Sequence, residues 1–198
     1  MGWFGPLSAI SRLGGVQYFV YGRDRPGSFG LKRSLNAEHW SFMDSYADRL
    51  IARGPTLTGD GEEAETTGSL HIVDQPDALA AHKFAYEEPY HRAGVFGSIL
   101  LYGFVNVLGR TMWDFTEAVD GYGRFLVIAR GEPGPQPVPP KHTIVYGDLL
   151  ALDGETHLGR AALLEAPDRE AAAASLPTGG EGRTEVHYWR FGGRPGTR

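Results

Sequence analysis

Between Leu31 and Arg53 the apolar residues Leu35, Trp40, Phe42, Met43, Tyr46, Ala47, Leu50 and Ile51 recur every three to four positions. That period predicts one amphipathic helix laid on a sheet, with Gly54-Pro55 as its stop. From Gly68 the pattern changes to alternation. In a regular strand Ser69, His71 and Val73 share one face while Leu70 and Ile72 share the other. Aromatic-rich runs from Ser98 to Val107 and from Glu185 to Phe191 read as further strands.

The pattern occurs twice. Phe19-Val-Tyr-Gly-Arg23-Asp-Arg-Pro26-Gly27 is echoed by Leu126-Val-Ile-Ala-Arg130-Gly-Glu-Pro133-Gly134, each a strand entering a turn. In both halves an Asp-Gly hairpin signal follows a glycine by six residues, Gly54 to Asp60-Gly61 and Gly147 to Asp153-Gly154. The stretch from Gly68 to Pro76-Asp77 then aligns without a gap on that from Gly159 to Pro167-Asp168, and both lead into Ala-rich helices. The element order strand, helix, strand, strand, helix, strand predicts an α+β fold of two ferredoxin-like βαββαβ repeats. The second repeat lacks its first helix, because a proline-rich stretch occupies that place before Ile144. The expected organisation is an N-terminal extension over 1–15, an intact repeat over 16–115, a degenerate repeat over 122–192 and a tail over 193–198.

Composition narrows the function. With 41% hydrophobic and 22% charged residues the chain is expected to be a soluble globular protein. Nineteen basic against 24 acidic residues, a net charge of -5, argue against nucleic acid or an anionic membrane as partner. The absence of cysteine excludes a disulfide framework and a thiolate nucleophile, and fits a cytoplasmic location. No stretch is long and apolar enough to span a bilayer, and residues 1–15 lack the features of a signal peptide. None of the seven histidines forms a zinc-hydrolase motif, and dinucleotide and nucleophile-elbow signatures are missing, so neither metal nor cofactor is expected.

Several short signatures fall in order: Tyr18-Phe-Val-Tyr21 with Arg23-Asp24-Arg25, Arg33 and His39 on the helix, Gly54-Pro55, Gly68-Ser69, and Glu88-Pro89-Tyr90 with Ala93-Gly94. Over residues 16–108 the chain resembles the YciI-like (YCII-related) domains. The resemblance implies a dimeric α+β barrel, related in fold to muconolactone isomerase and small polyketide monooxygenases. A fused, duplicated chain would supply both halves of such a barrel and enclose one cavity. The resemblance also implies a histidine and an aspartate in a cleft, and the family includes a dehydrochlorinase acting on a chlorinated hydroxyquinol. The histidine carries over to His39. The aspartate of the family's Asp-Pro-Tyr turn falls on Glu88, one methylene longer.

A histidine backed by a carboxylate accepts and returns protons near neutral pH. The pair His39 and Glu88 therefore predicts a cofactor-independent lyase, isomerase, cyclase or hydrolase acting on an aromatic or polyketide-like small molecule, in secondary metabolism. Tyr21, Arg23, Arg33, Trp40, His71 and Tyr90 are the expected substrate-binding residues: the rings wall an aromatic ligand, the arginines meet a carboxylate or phenolate, and His71 lines the barrel interior. His82 is expected at the surface. A non-catalytic ligand-binding or accessory protein, and a cofactor-free oxygenase, remain as alternatives. The protein is expected to be a monomer or homodimer with a small-molecule substrate as its partner.

Overall fold

The computed structural model describes residues 16–132 and 141–194. The expected N-terminal extension and most of the proline-rich stretch therefore lie outside the described residues.

Eight strands close into an antiparallel barrel. They are β1 (Val16–Asp24), β2 (Leu50–Leu57), β3 (Thr66–Gln75), β4 (Phe96–Asn106), β5 (Gly123–Arg130), β6 (Thr143–Leu150), β7 (His157–Ala166) and β8 (Arg183–Trp189). Around the barrel the order is β1-β3-β2-β8-β5-β7-β6-β4. Four consecutive strands thus run β4-β1-β3-β2 in the first half, and the next four run β8-β5-β7-β6 in the second. The halves meet at two seams, β2 with β8 through Thr56 and Leu57, and β4 with β6 from Gly103 to Asn106. At one mouth a single carboxylate joins them. Arg23 of β1 and Arg130 of β5 both donate to Glu185 of β8, at 2.6 and 2.5 Å.

Alternation sends Phe19, Tyr21, Leu70, Ile72, Phe104, Leu126, Ile128, Leu163 and Trp189 into one shared core. An eight-stranded barrel has just enough interior for its own side chains, and here rings fill it. Among the described residues these side chains pack into one core inside the barrel, where a cavity enclosed by the two halves is expected. The opposite faces are covered by helices. Over the first half, Val20, Leu50 and Val73 pack against Met43 of α2 (Asn36–Asp44) and Phe84 and Ala85 of α3 (Ala78–Glu87). Over the second half, Phe125, Val127, Tyr146 and Leu164 pack against Ala172 of α5 (Arg169–Ala174) and against Leu176. Asp77 and Asp168 cap α3 and α5 alike, accepting from Ala80 N at 2.7 Å and Ala171 N at 2.8 Å.

The single helix expected from Leu31 to Arg53 is instead α1 (Phe29–Ser34), α2, a short turn of 3₁₀ helix (Ala47–Arg49) and the start of β2. Leu50 and Ile51 fit the helical period but are strand residues, with a bulge that sets Leu50 opposite Val73 and Ala52 opposite Ile72. Gly54-Pro55 likewise sits inside β2 rather than ending a helix. The Pro55 carbonyl accepts from Arg190 N at 3.2 Å, so its missing N–H falls on the sparsely paired side facing β8. Gly54 is required by close approach, because a Cβ there would lie 2.0 Å from the Arg190 carbonyl oxygen and 2.7 Å from Trp189 Nε1.

Among the described residues no helix is long and apolar enough to cross a membrane. Gly54→Ala is expected to cost about 1–3 kcal/mol by overpacking, which lowers Tm by roughly 2–12 °C for a chain of this size. Gly59→Ala, where nothing lies within 4 Å of the added Cβ, serves as the control and should leave a thermal melt essentially unchanged.

Candidate active site

The best-formed hollow lies outside the barrel, between the outer face of β2 and β3 and a roof made by α1, α2 and α4 (Pro89–Arg92). Its volume is about 270 Å³. Strand register explains which side chains face it. Arg53 of β2 stands opposite His71 of β3, and Pro55 opposite Ser69, so these four share the outer face. His39 comes down from α2, four residues before Met43, which anchors the same helix in the core below.

His39 is held on three sides. Its ring stacks on Tyr90, with centroids 4.0 Å apart and planes 11° apart, and meets the His71 ring at 5.4 Å. Its Nδ1 lies 3.1 Å from Glu88 Oε2. Glu88 is the N-cap of α4, and the same Oε2 accepts from Tyr90 N at 3.0 Å. Glu88 is therefore fixed by main chain and is almost wholly buried behind His39, off the cavity wall. Tyr90 is fixed in turn, its hydroxyl donating to Asn36 Oδ1 at 2.6 Å.

Burial drives both members of the pair toward their neutral forms. The His39 imidazole is pushed down to about 3 by burial, reinforced by Lys32 and Arg53. Glu88 is pushed up to about 7 by burial, against the opposing pull of the Tyr90 and His91 N–H groups and Lys32. His71, fully buried, is lowered by burial and then by His39, Arg53 and Lys32. Above pH 7, with Glu88 ionised, its carboxylate accepts the Nδ1 proton and leaves Nε2 of His39 as the basic nitrogen. As pH falls through 7 the Glu88 carboxyl gains a proton and that preference is lost.

Of the residues expected to bind substrate, Arg33, Trp40, His71 and Tyr90 line the cavity with His39. His71 does so from the outer face and not from the barrel interior. Tyr21 and Arg23, expected at the same site, lie elsewhere. Tyr21 points into the barrel core, where its hydroxyl is 3.0 Å from Thr56 Oγ1, and Arg23 is bound to Glu185 at the barrel mouth. Both sit on the opposite face of β1 from Val20, which faces the helices, so strand alternation turns them away from the cavity. His82 is exposed and stacks on Tyr86.

Sequence reasoning missed Lys32, Arg53 and the segment Phe191-Gly192-Gly193 on the cavity wall. Arg53 was hidden by the extended helix expected there, since its parity with His71 emerges only once β2 is known to begin at Leu50. The segment after β8 reaches the cavity through a long-range contact, Gly192 N donating to Arg53 O at 3.0 Å, which no local pattern announces. Among the described residues no group of three or more acidic or histidine side chains is placed to hold a metal.

Residues 16–104 match the family model described as the YCII-related domain. That span contains His39, Glu88 and every cavity-lining residue except Phe191, Gly192 and Gly193. An uncharacterized protein of Haemophilus influenzae is 27% identical over 97 residues, covering 46% of this chain and 99% of its own length. The solved structure of 5-chloro-2-hydroxyhydroquinone dehydrochlorinase from Burkholderia phenoliruptrix, in complex with 2,5-dihydroxybenzoquinone, is 27% identical. It covers 43% of this chain and 89% of its own, with a TM-score of 0.40.

NMR of the labelled imidazole checks the electrostatics. The His39 ring is expected to stay neutral from pH 5 to 8, with a perturbation midpoint near 7 as the adjacent Glu88 titrates. A His39 that is already cationic at pH 6 would contradict the burial argument.

Proposed function

We propose that the cavity beneath α2 is the active site of a small-molecule enzyme in which His39, oriented by Glu88, moves a proton without help from a cofactor. The observation that carries this is a buried imidazole on a cavity wall whose Nδ1 is committed to a carboxylate, itself held by main-chain N–H groups. Nε2 of His39 takes a proton from a carbon or hydroxyl acid of the substrate. The electron pair left behind enters the substrate's π system or expels a leaving group, and the proton returns to another substrate atom or to that group. Elimination, isomerisation and cyclisation share this step; in hydrolysis Nε2 takes the proton from an attacking water instead, and the leaving group receives it. The rings of Phe29, Trp40, Tyr90 and Phe191 on the wall suit a flat aromatic or polyketide-like molecule, and the YCII-related match is compatible with a small-molecule enzyme.

The chain is also read as two fused, unequal copies of one unit, spanning 16–115 and 122–192. Support comes from the identical strand order of the halves, the matched caps Asp77 and Asp168, and the matched arginines Arg23 and Arg130 on one carboxylate. Acid-base chemistry belongs to the first copy, since the second has no counterpart of His39 or Glu88. The protein is taken as cytoplasmic and as a monomer or homodimer.

The test follows deuterium uptake from heavy water, and release of leaving groups, in a panel of hydroxylated aromatics and 1,3-dicarbonyl compounds that includes 5-chloro-2-hydroxyhydroquinone. The wild-type protein is expected to accelerate at least one probe. His39→Ala should slow that probe by roughly 10²–10⁴-fold, the usual worth of a positioned acid-base group. A folded His39→Ala protein that turns the probe over at the wild-type rate would refute the proton-transfer role. Probes that bind but never react would favour a ligand-binding protein.

A further inference from the structure

The cavity wall carries charge of one sign. Lys32, Arg33 and Arg53 line it and no acidic side chain does, although the chain as a whole has a net charge of -5. The three cations are not equivalent. Lys32 spends its donors on both carboxylate oxygens of Asp24, at 2.8 and 3.0 Å, and on the Gly68 carbonyl at 3.0 Å. Arg33 is exposed, its guanidinium over the Phe29 ring.

Arg53 is 7% exposed, and its Nε is buried without a hydrogen-bond partner. The acid nearest to it, Asp44, stands at 3.4 Å from Nη1 and is itself held more closely by Arg194 Nε at 2.7 Å. The chain after β8 then passes against the guanidinium bare of a side chain. A Cβ on Gly193 would lie 2.7 Å from Arg53 Nη2 and 3.3 Å from Cζ, and the φ of +133° at Gly193 also favours glycine. The backbone thus packs on the guanidinium while an N–H that needs an acceptor remains unused. Burial of a cation with a free donor is unfavourable unless an anion completes it, and a planar guanidinium edge matches a carboxylate.

Resting on the reading of this cavity as a small-molecule site, we infer that Arg53 anchors a carboxylate, and that the substrates are small aromatic or unsaturated carboxylic acids. Arg53 and His71 are cross-strand neighbours, and the His71 ring is 5.4 Å from that of His39. A carboxylate on Arg53 therefore places the rest of a flat molecule toward His39, among Trp40, Tyr90 and Phe191. The groups that face Arg53 and its ligand are Asp44, Lys32, His39 and His71, with Glu88 behind His39. Arg53 acts here as a binding and specificity residue, and the proton is moved by His39.

Titration calorimetry with benzoate and its neutral isostere benzamide tests the inference. Wild-type protein is expected to bind benzoate at least about tenfold tighter than benzamide, the fold-change that one charge-assisted contact supplies. Arg53→Gln should erase that preference, weakening benzoate at least about tenfold more than benzamide. Asp44→Asn, at an exposed position, removes the competing carboxylate and should tighten benzoate severalfold. Equal affinity for the two probes in the wild type, or a preference retained in Arg53→Gln, overturns the inference. Should Arg53→Gln not fold, benzoate affinity that is unchanged or weaker in Asp44→Asn overturns it instead. The two proposals fail separately: His39→Ala is expected to keep the benzoate preference, so an error in the proton-transfer role shows in turnover and an error about Arg53 shows in this preference.

Discussion

Glu88 can neither reach water nor move. Its carboxylate caps a one-turn helix, accepts the Tyr90 N–H and lies against His39 Nδ1, all in a space that excludes solvent. From that constraint the remaining features of the site follow. Because the carboxylate is desolvated, its pKa rises to about 7, within the range where a cell operates. Because the imidazole is desolvated too, it stays neutral, and the hydrogen bond to Glu88 decides which nitrogen is basic. Tyr90, whose backbone holds Glu88, also supplies the ring on which His39 stacks, so a single short helix positions Glu88, the His39 ring and one wall of the cavity.

Barrel closure explains why the cavity sits on the outside. The eight-stranded barrel turns Phe19, Tyr21, Phe104 and Trp189 inward into one packed core. The cavity that holds His39 lies where helices stand off the outer face, and the two halves differ there. In the second half the small side chains of α5 let it settle directly on Phe125, Val127 and Leu164. In the first, α1, α2 and α4 form a broken roof carrying His39, Lys32, Trp40 and Tyr90, and a hollow survives beneath it. The second half still contributes, through the segment after β8 that closes the far wall with Phe191, Gly192 and Gly193.

Much of this was legible in the chain, and the failures have physical causes. The strands around Val20, Ile72, Val127 and Leu163 announce themselves by alternation or continuous apolar runs, and the caps Asp77 and Asp168 by their place before Ala-rich helices. The family resemblance singles out His39 and Glu88, whereas spacing alone pairs residues 49 apart with no partner in particular. The start of β2 was not legible, because Leu50 and Ile51 satisfy the helical period that precedes them, while the strand is imposed by pairing with β3. The same error concealed Arg53. Tyr21 and Arg23 were misplaced for want of one bit of information, namely which face of β1 meets the helices and which meets the other half of the barrel. Alternation divides a strand into two faces but does not label them.

In the proposed mechanism the ionisation of Glu88 sets His39 as a base, so the pH dependence of turnover, compared between the wild type and Glu88→Gln, tests the central claim most directly. In the wild type kcat/KM should fall as pH drops below about 7, because protonation of the raised Glu88 carboxyl removes the acceptor that keeps Nε2 of His39 free. In Glu88→Gln the rate should be lower throughout and level across that region, since nothing at position 88 titrates. A Glu88→Gln protein that keeps the wild-type acid limb at the same pH would contradict the dependence of His39 on Glu88.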